Sequence, residues 1–178
     1  APLLVWPLAV AADWVLPLWV PELVVAVEQA GSALDVMTHL PLPAELAMQR
    51  PLGDSGGLVF VVDPLIYTYG LPLYTALVHA VPGDEGVNWR RWTWGLPWLL
   101  CAQLWGVVFH IAKMLFFEWD ATTELVLRVW WLEAIALGYQ LGYLILPSML
   151  PIVIWCVFYR DQLAELAGLG DVAREHDS

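Results

Sequence analysis

An all-α membrane fold, polytopic with four transmembrane helices and a short periplasmic loop region holding a small hairpin, is predicted by three observations. Hydrophobic residues make up 60% of the chain and charged residues only 14%, against roughly 25% charged in a soluble domain. The charges gather in short stretches between long apolar runs. Four of those runs are close to or above the roughly 20 residues that a bilayer span requires.

The first run covers about residues 3–20 and is interrupted by Asp13, which must pair within the bundle or carry a proton. Glu22 to Gln29 follow Pro21, a good first-turn residue, and read as an interfacial helix. A loop over 28–57 is broken by Pro41, Pro43, Pro51 and a glycine-rich stretch. Within it Gly31-Ser32 suggests a turn, and Leu34, Val36 and Leu40 alternate as a short strand or hairpin does. The second span covers 58–81 and holds Asp63 and His79; the third covers 93–117 and holds Gln103, His110 and Lys113. The fourth, 129–159, holds Glu133 and Gln140 and is too long for one perpendicular crossing, so it must tilt, start above the membrane or bend at Pro147 and Pro151. Residues 1–160 thus read as a single transmembrane helical domain, and 161–178 as an acidic cytoplasmic tail whose start extends the last helix. The first run is too rich in Trp and Pro for a signal peptide and reads as a retained helix.

Arg90-Arg91 lies between spans two and three, and Arg160 directly follows span four. With four spans these bases share one side, which the positive-inside rule assigns to the cytoplasm, giving an N-in, C-in topology. Tryptophan agrees. Trp89, Trp92, Trp94 and Trp98 mark one end, with Trp155 returning to it. Trp19, Trp119, Trp130 and Trp131 mark the other. Indole prefers the interface, where its N–H stays wet.

A formal net charge of −11 leaves no basic patch to neutralise phosphates, so nucleic acid is excluded as a partner and membrane lipids are the expected surroundings. Cys101 and Cys156 sit in apolar runs with no metal-ligand spacing and read as buried reduced thiols. Ser148 has no nucleophile elbow and no adjacent base. No metal, cofactor or catalytic set is expected.

Ionisable groups inside hydrocarbon are costly and face protein or a cavity. Counting depth along each span puts Asp63, Lys113 and Glu133 at one level near the outer face, with His110 one turn from Lys113 on the same stripe. Gln103 and Gln140 lie seven positions deeper than His110 and Glu133, respectively. Spans three and four are therefore expected to pack with Lys113 near Glu133 and Gln103 near Gln140, Asp63 completing the upper cluster. Gly138 and Gly142 form a small-xxx-small pair that lets another helix approach closely. Structural pairing is the first reading of this cluster. An ion, proton, substrate or metal site is the second, and a haem or pigment ligand at His110 rests on a single histidine.

Two stretches are distinctive beyond hydropathy: Phe60-Val-Val-Asp-Pro-Leu-Ile-Tyr-Thr-Tyr-Gly-Leu-Pro-Leu73 and Glu133-Ala-Ile-Ala-Leu-Gly-Tyr-Gln-Leu-Gly-Tyr-Leu-Ile-Leu-Pro147. Together they resemble the exosortase H-associated membrane proteins, from the first span through about Phe158. Glu133, Tyr139, Gln140, Gly142, Tyr143 and Pro147 fit the second motif. The family pattern has asparagine where this chain has Asp63, and usually a glycine near Thr68. The resemblance implies a bacterial inner-membrane protein accompanying a transpeptidase-like enzyme that sorts exported proteins by a C-terminal signal. With no sortase-like set of Cys, Arg and His in the chain, a non-enzymatic accessory role is expected, holding the enzyme or its substrate through the face that carries Lys113 and Glu133. An accessory subunit of a large respiratory or photosynthetic complex, or a small oligomeric transporter, is the alternative.

Overall fold

A computed structural model describes residues 2–19, 21, 23–41, 57–118 and 129–166. Helix α1 (Pro2–Trp19) is followed by three strands, β1 (Val24–Ala30), β2 (Ala33–Pro41) and β3 (Gly57–Val62). A 3-10 turn (Pro64–Tyr67) leads into α2 (Gly70–Ala80) and α3 (Glu85–Lys113), which continues as a π turn over Met114–Glu118. Then come α4 (Val129–Gln140), a second π turn (Leu141–Ile145), α5 (Leu146–Phe158) and a short α6 (Arg160–Leu166). The fold is mostly helical with a small antiparallel sheet.

Among the described residues two helices, not four, are long and apolar enough to cross a membrane: Glu85–Phe117 and Trp130–Phe158. The expected second span fails for a local reason. Its β-branched start, Val59 to Val62, pairs with β2 (Val36 opposite Phe60, Leu34 opposite Val62) instead of coiling. Asp63 then caps the turn, its Oδ1 accepting from Leu65 N at 2.9 Å, and Pro64 supplies the fixed φ that starts it. What remains for α2 is 11 residues, about 16 Å of helix, roughly half of a hydrocarbon core.

The first expected span is α1, of 18 residues or about 27 Å, with only the stretch Val5–Trp19 counted as a shorter apolar helix. One stripe, Val5, Leu8, Ala9, Ala12 and Leu16, is fully buried against the sheet and α3, while Trp6, Trp14 and Leu18 face outward. Asp13 explains itself here: its Oδ1 accepts a hydrogen bond from Val27 N at 2.9 Å. The carboxylate ties the helix to the first strand rather than standing isolated in a bilayer.

The segment expected as an interfacial helix is β1. Three of its first four residues, Val24, Val25 and Val27, are β-branched, and it pairs with β2 through Val27 opposite Val36. Gly31 at φ 67° supplies the left-handed turn between Ala30 and Ala33. Leu34, Val36, Thr38, Phe60 and Val62 point to the buried face and join Val107, Ile111 and Leu115 of α3 in one core. The sheet therefore covers the C-terminal half of α3.

The opposite end of α3 has its own core of Tyr74, Val78, Leu99, Ile154 and Tyr159. Tyr74 donates to the Arg91 carbonyl at 2.8 Å, Trp92 Nε1 to Thr75 Oγ1 at 3.0 Å, and Tyr159 to Asn88 Oδ1 at 2.7 Å. The Arg91 guanidinium lies 4.2 Å from the Tyr159 ring centroid, so Arg91 and the residue preceding Arg160 meet at one end. The long last run is interrupted by a π turn that ends at Ile145, two residues before Pro147. A proline has no N–H and crowds the carbonyl four residues back; the widened turn accommodates both defects. The thiols are not both buried: Cys101 is exposed and Cys156 half-buried, because the helices that carry them turn these faces outward. Residues 167–178, the rest of the acidic tail, lie outside the described residues.

Replacing Asp13 by Leu leaves the Val27 amide without its acceptor. It is expected to cost about 1–3 kcal/mol, while Asp13→Asn keeps an acceptor and costs less; thermal unfolding in mild detergent measures both.

Candidate functional site

The two distinctive stretches converge on the middle of α3. The 3-10 turn delivers Tyr67, fully buried, onto α3 at Gly106, where any side chain would collide with the tyrosine ring. From the other side α4 and its π turn press Gly142 against the same glycine: a Cβ on Gly142 would stand 2.8 Å from Gly106 Cα. Gly138 admits the Phe109 ring in the same way. Trp105 closes this seam by donating from Nε1 to the Gly138 carbonyl at 3.0 Å and stacking on Phe109. Gly70, at the start of α2, rests on the Pro147 carbonyl.

Around that crossing stands a cluster of aromatic and basic side chains. The Tyr67 hydroxyl and His110 Nδ1 are 2.8 Å apart. Tyr67 meets Tyr143 edge to face, and His110 meets Tyr139 the same way. Tyr139 and Tyr143, one helical turn apart, lie nearly parallel at an interplanar angle of 11°. The Lys113 ammonium sits 5.3 Å from the Tyr139 ring centroid.

The sequence-predicted residues divide between this cluster and its surroundings. His110 and Lys113 belong to it. Asp63 shapes the turn that carries Tyr67 but is itself exposed. Glu133 is exposed near the start of α4 and makes no ion pair among the described residues. Gln103 is buried and lines a pocket of about 230 Å³ with Thr68, Leu71 and Trp92. Gln140 is exposed and opens on a different groove, of about 540 Å³, beside Trp19, Trp105 and Phe109. The two amides thus face different spaces. Among the described residues no three of His, Cys, Asp and Glu gather as a metal-binding group. Sequence reasoning weighed the charges and passed over the phenols. The signal was available: Tyr67 lies in one distinctive stretch, and Tyr139 and Tyr143 lie in the other at helical spacing.

The family model of the exosortase H-associated membrane proteins matches residues 1–162. The chain belongs to that family. No curated protein and no solved structure matches it. By the family's description the chain is a membrane protein associated with exosortase H. The residues of the crossing, from Tyr67 to Pro147, all fall within the matched range.

Gly142→Leu is expected to force α3 and the π turn apart and cost about 1–3 kcal/mol or more. Tyr67→Phe removes only the hydroxyl and should cost about 0.5–1.5 kcal/mol. Thermal unfolding of each variant in detergent ranks them, and an unchanged midpoint for Gly142→Leu would contradict the close crossing.

Proposed function

We propose that the chain is a non-enzymatic accessory protein of an exosortase-type sorting system in the bacterial inner membrane, where it holds or orients the sorting enzyme or its exported substrate. The observation that carries this reading is the fate of the two basic groups in the bundle. His110 and Lys113 are engaged by tyrosines from the two family stretches, one by a hydroxyl and one by a ring face. Basic groups taken up in this way brace neighbouring elements against one another rather than standing ready for a substrate. A bundle braced at its centre presents a fixed outer surface, and a fixed surface loses less freedom when a partner docks.

Orientation follows from the same bases as before. The positive-inside rule assigns the end with Arg90, Arg91 and Arg160 to the cytoplasm. The sheet, packed on the far half of α3, then belongs to the periplasmic side, where exported substrates arrive.

Affinity purification of the tagged chain from native membranes containing exosortase H is expected to recover that enzyme, and deletion of the chain is expected to impair sorting of exported proteins. Solitary migration in mild detergent, together with unchanged sorting after deletion, would overturn the reading.

A further inference from the structure

The last long helix carries a stripe of alternating polar and apolar residues on its outward side. Glu133, Leu137, Gln140 and Leu144 follow one another at helical spacing, and all four are exposed, Leu137 and Leu144 by 65% and 60%. Glu133 lies about 4.5 Å along the helix from Trp130 and Gln140 about 15 Å. The helix Trp130–Phe158 is about 42 Å from end to end, so a hydrocarbon core of about 30 Å leaves only about 12 Å free. Gln140 is therefore inside hydrocarbon wherever the bilayer sits along the helix, whereas Glu133 falls at its boundary. Among the described residues the Gln140 amide has no hydrogen-bond partner. Lipid tails cannot satisfy it, and an unsatisfied amide in hydrocarbon is costly. Next to it runs the apolar groove floored by Trp105, Phe109 and Gly138, wide enough to receive side chains from a neighbouring helix.

We propose that this stripe and groove seat one transmembrane helix of the associated sorting enzyme, which carries a basic side chain at the level of Glu133 and a hydroxyl or amide two turns deeper against Gln140. The assignment rests on the accessory reading above and names the surface through which it operates. A second copy of this chain fits poorly. Two copies in one membrane run parallel, so a two-fold pair would set Glu133 against Glu133, like charges at a partly desolvated boundary. A different helix with a base at that level turns the same position into an attraction, and it satisfies Gln140 with an interhelical hydrogen bond.

The test is photo-crosslinking in native membranes. A photoreactive residue is placed at Leu137 or Leu144, and as controls at Trp14 on α1 and Trp98 on α3, which are also exposed. Crosslinks to the sorting enzyme from the two leucine positions and not from the controls are expected. Crosslinks to the enzyme from Trp14 or Trp98 alone would overturn the surface while keeping the accessory reading. Crosslinks from the leucine positions only to the chain itself would make this face a self-association site. Absence of any crosslink to the enzyme, joined to its failure to co-purify, would overturn both. In parallel, Gln140→Leu and Glu133→Lys are expected to lower recovery of the enzyme by about fivefold to tenfold, with Glu133→Asp retaining it. Because both side chains are exposed, the unfolding midpoint should stay put; unchanged recovery in the two disruptive variants would remove the polar contacts from the proposal.

Discussion

The backbone contact between Gly106 and Gly142 is the constraint from which the rest of the arrangement follows. Without side chains at this crossing, α3 and the π turn approach to a distance that ordinary residues forbid. The space above Gly106 is then left for the Tyr67 ring, and only a short turn can deliver a ring there. Placing that turn fixes where β3 ends and where α2 begins. Since β3 pairs with β2 and β2 with β1, the sheet is fixed on the far half of α3. Helix α1 follows in turn, fastened to β1 through Asp13. A chain of local consequences thus leads from two glycines to the position of the N-terminal helix.

Non-helical backbone at this depth needs protein around it, because lipid offers no hydrogen bonds. The segment Asp63–Tyr69 meets that condition. Asp63 takes the Leu65 amide, the Thr68 amide and hydroxyl both donate to the Leu65 carbonyl, and Pro64 has no amide to satisfy. Helix α2 is too short to cross alone. It is held by polar side chains at its middle, where Tyr74 and Thr75 join α3, and by Gly70 lying on Pro147 at its near end. In water, contacts of this kind supplement burial of apolar surface. Between helices in lipid, close packing and hydrogen bonds carry more of the association, which is why glycine and tyrosine recur at each junction.

Hydropathy made the membrane setting legible and hid half of the architecture. A run such as Leu58 to Val81 has the apolar content of a span, but content does not distinguish a coil of helix from a strand, a turn and a half-length helix. The distinguishing marks were present: four β-branched or aromatic residues before Asp63-Pro64, and a capping carboxylate beside a proline. They were outweighed by the length of the run. Gly31-Ser32 was readable as a turn because its chemistry is local. Gly138 of α4 and Gly142 of the π turn were readable as a close approach for the same reason. The pairing of Gln103 with Gln140 could not be read from depth, since depth counting fixes level and says nothing about rotation. A helix that turns Gly138 and Gly142 inward must turn Gln140 away from α3. The tyrosines escaped because a phenol in an apolar run resembles a hydrophobic residue until its hydroxyl is given a partner.

The π turn resolves a conflict within the last helix. Before it, α4 must present Gly138 and Tyr139 to α3. After it, α5 must present Pro147, Pro151 and Ile154 to α2 and the opposite core. An uninterrupted α-helix advances its facing stripe by a fixed rotation and would carry Tyr143 away from Tyr67. Inserting one residue into a single turn resets the rotation there. The same reset leaves the outward stripe of α4 ending where the helix swings toward α2. The surface that bears Gln140 is therefore confined to the half of the helix braced by the tyrosine cluster. In the proposed docking, that bracing limits the freedom of the helix to turn the amide inward, so a partner that fails to meet Gln140 leaves its cost in full.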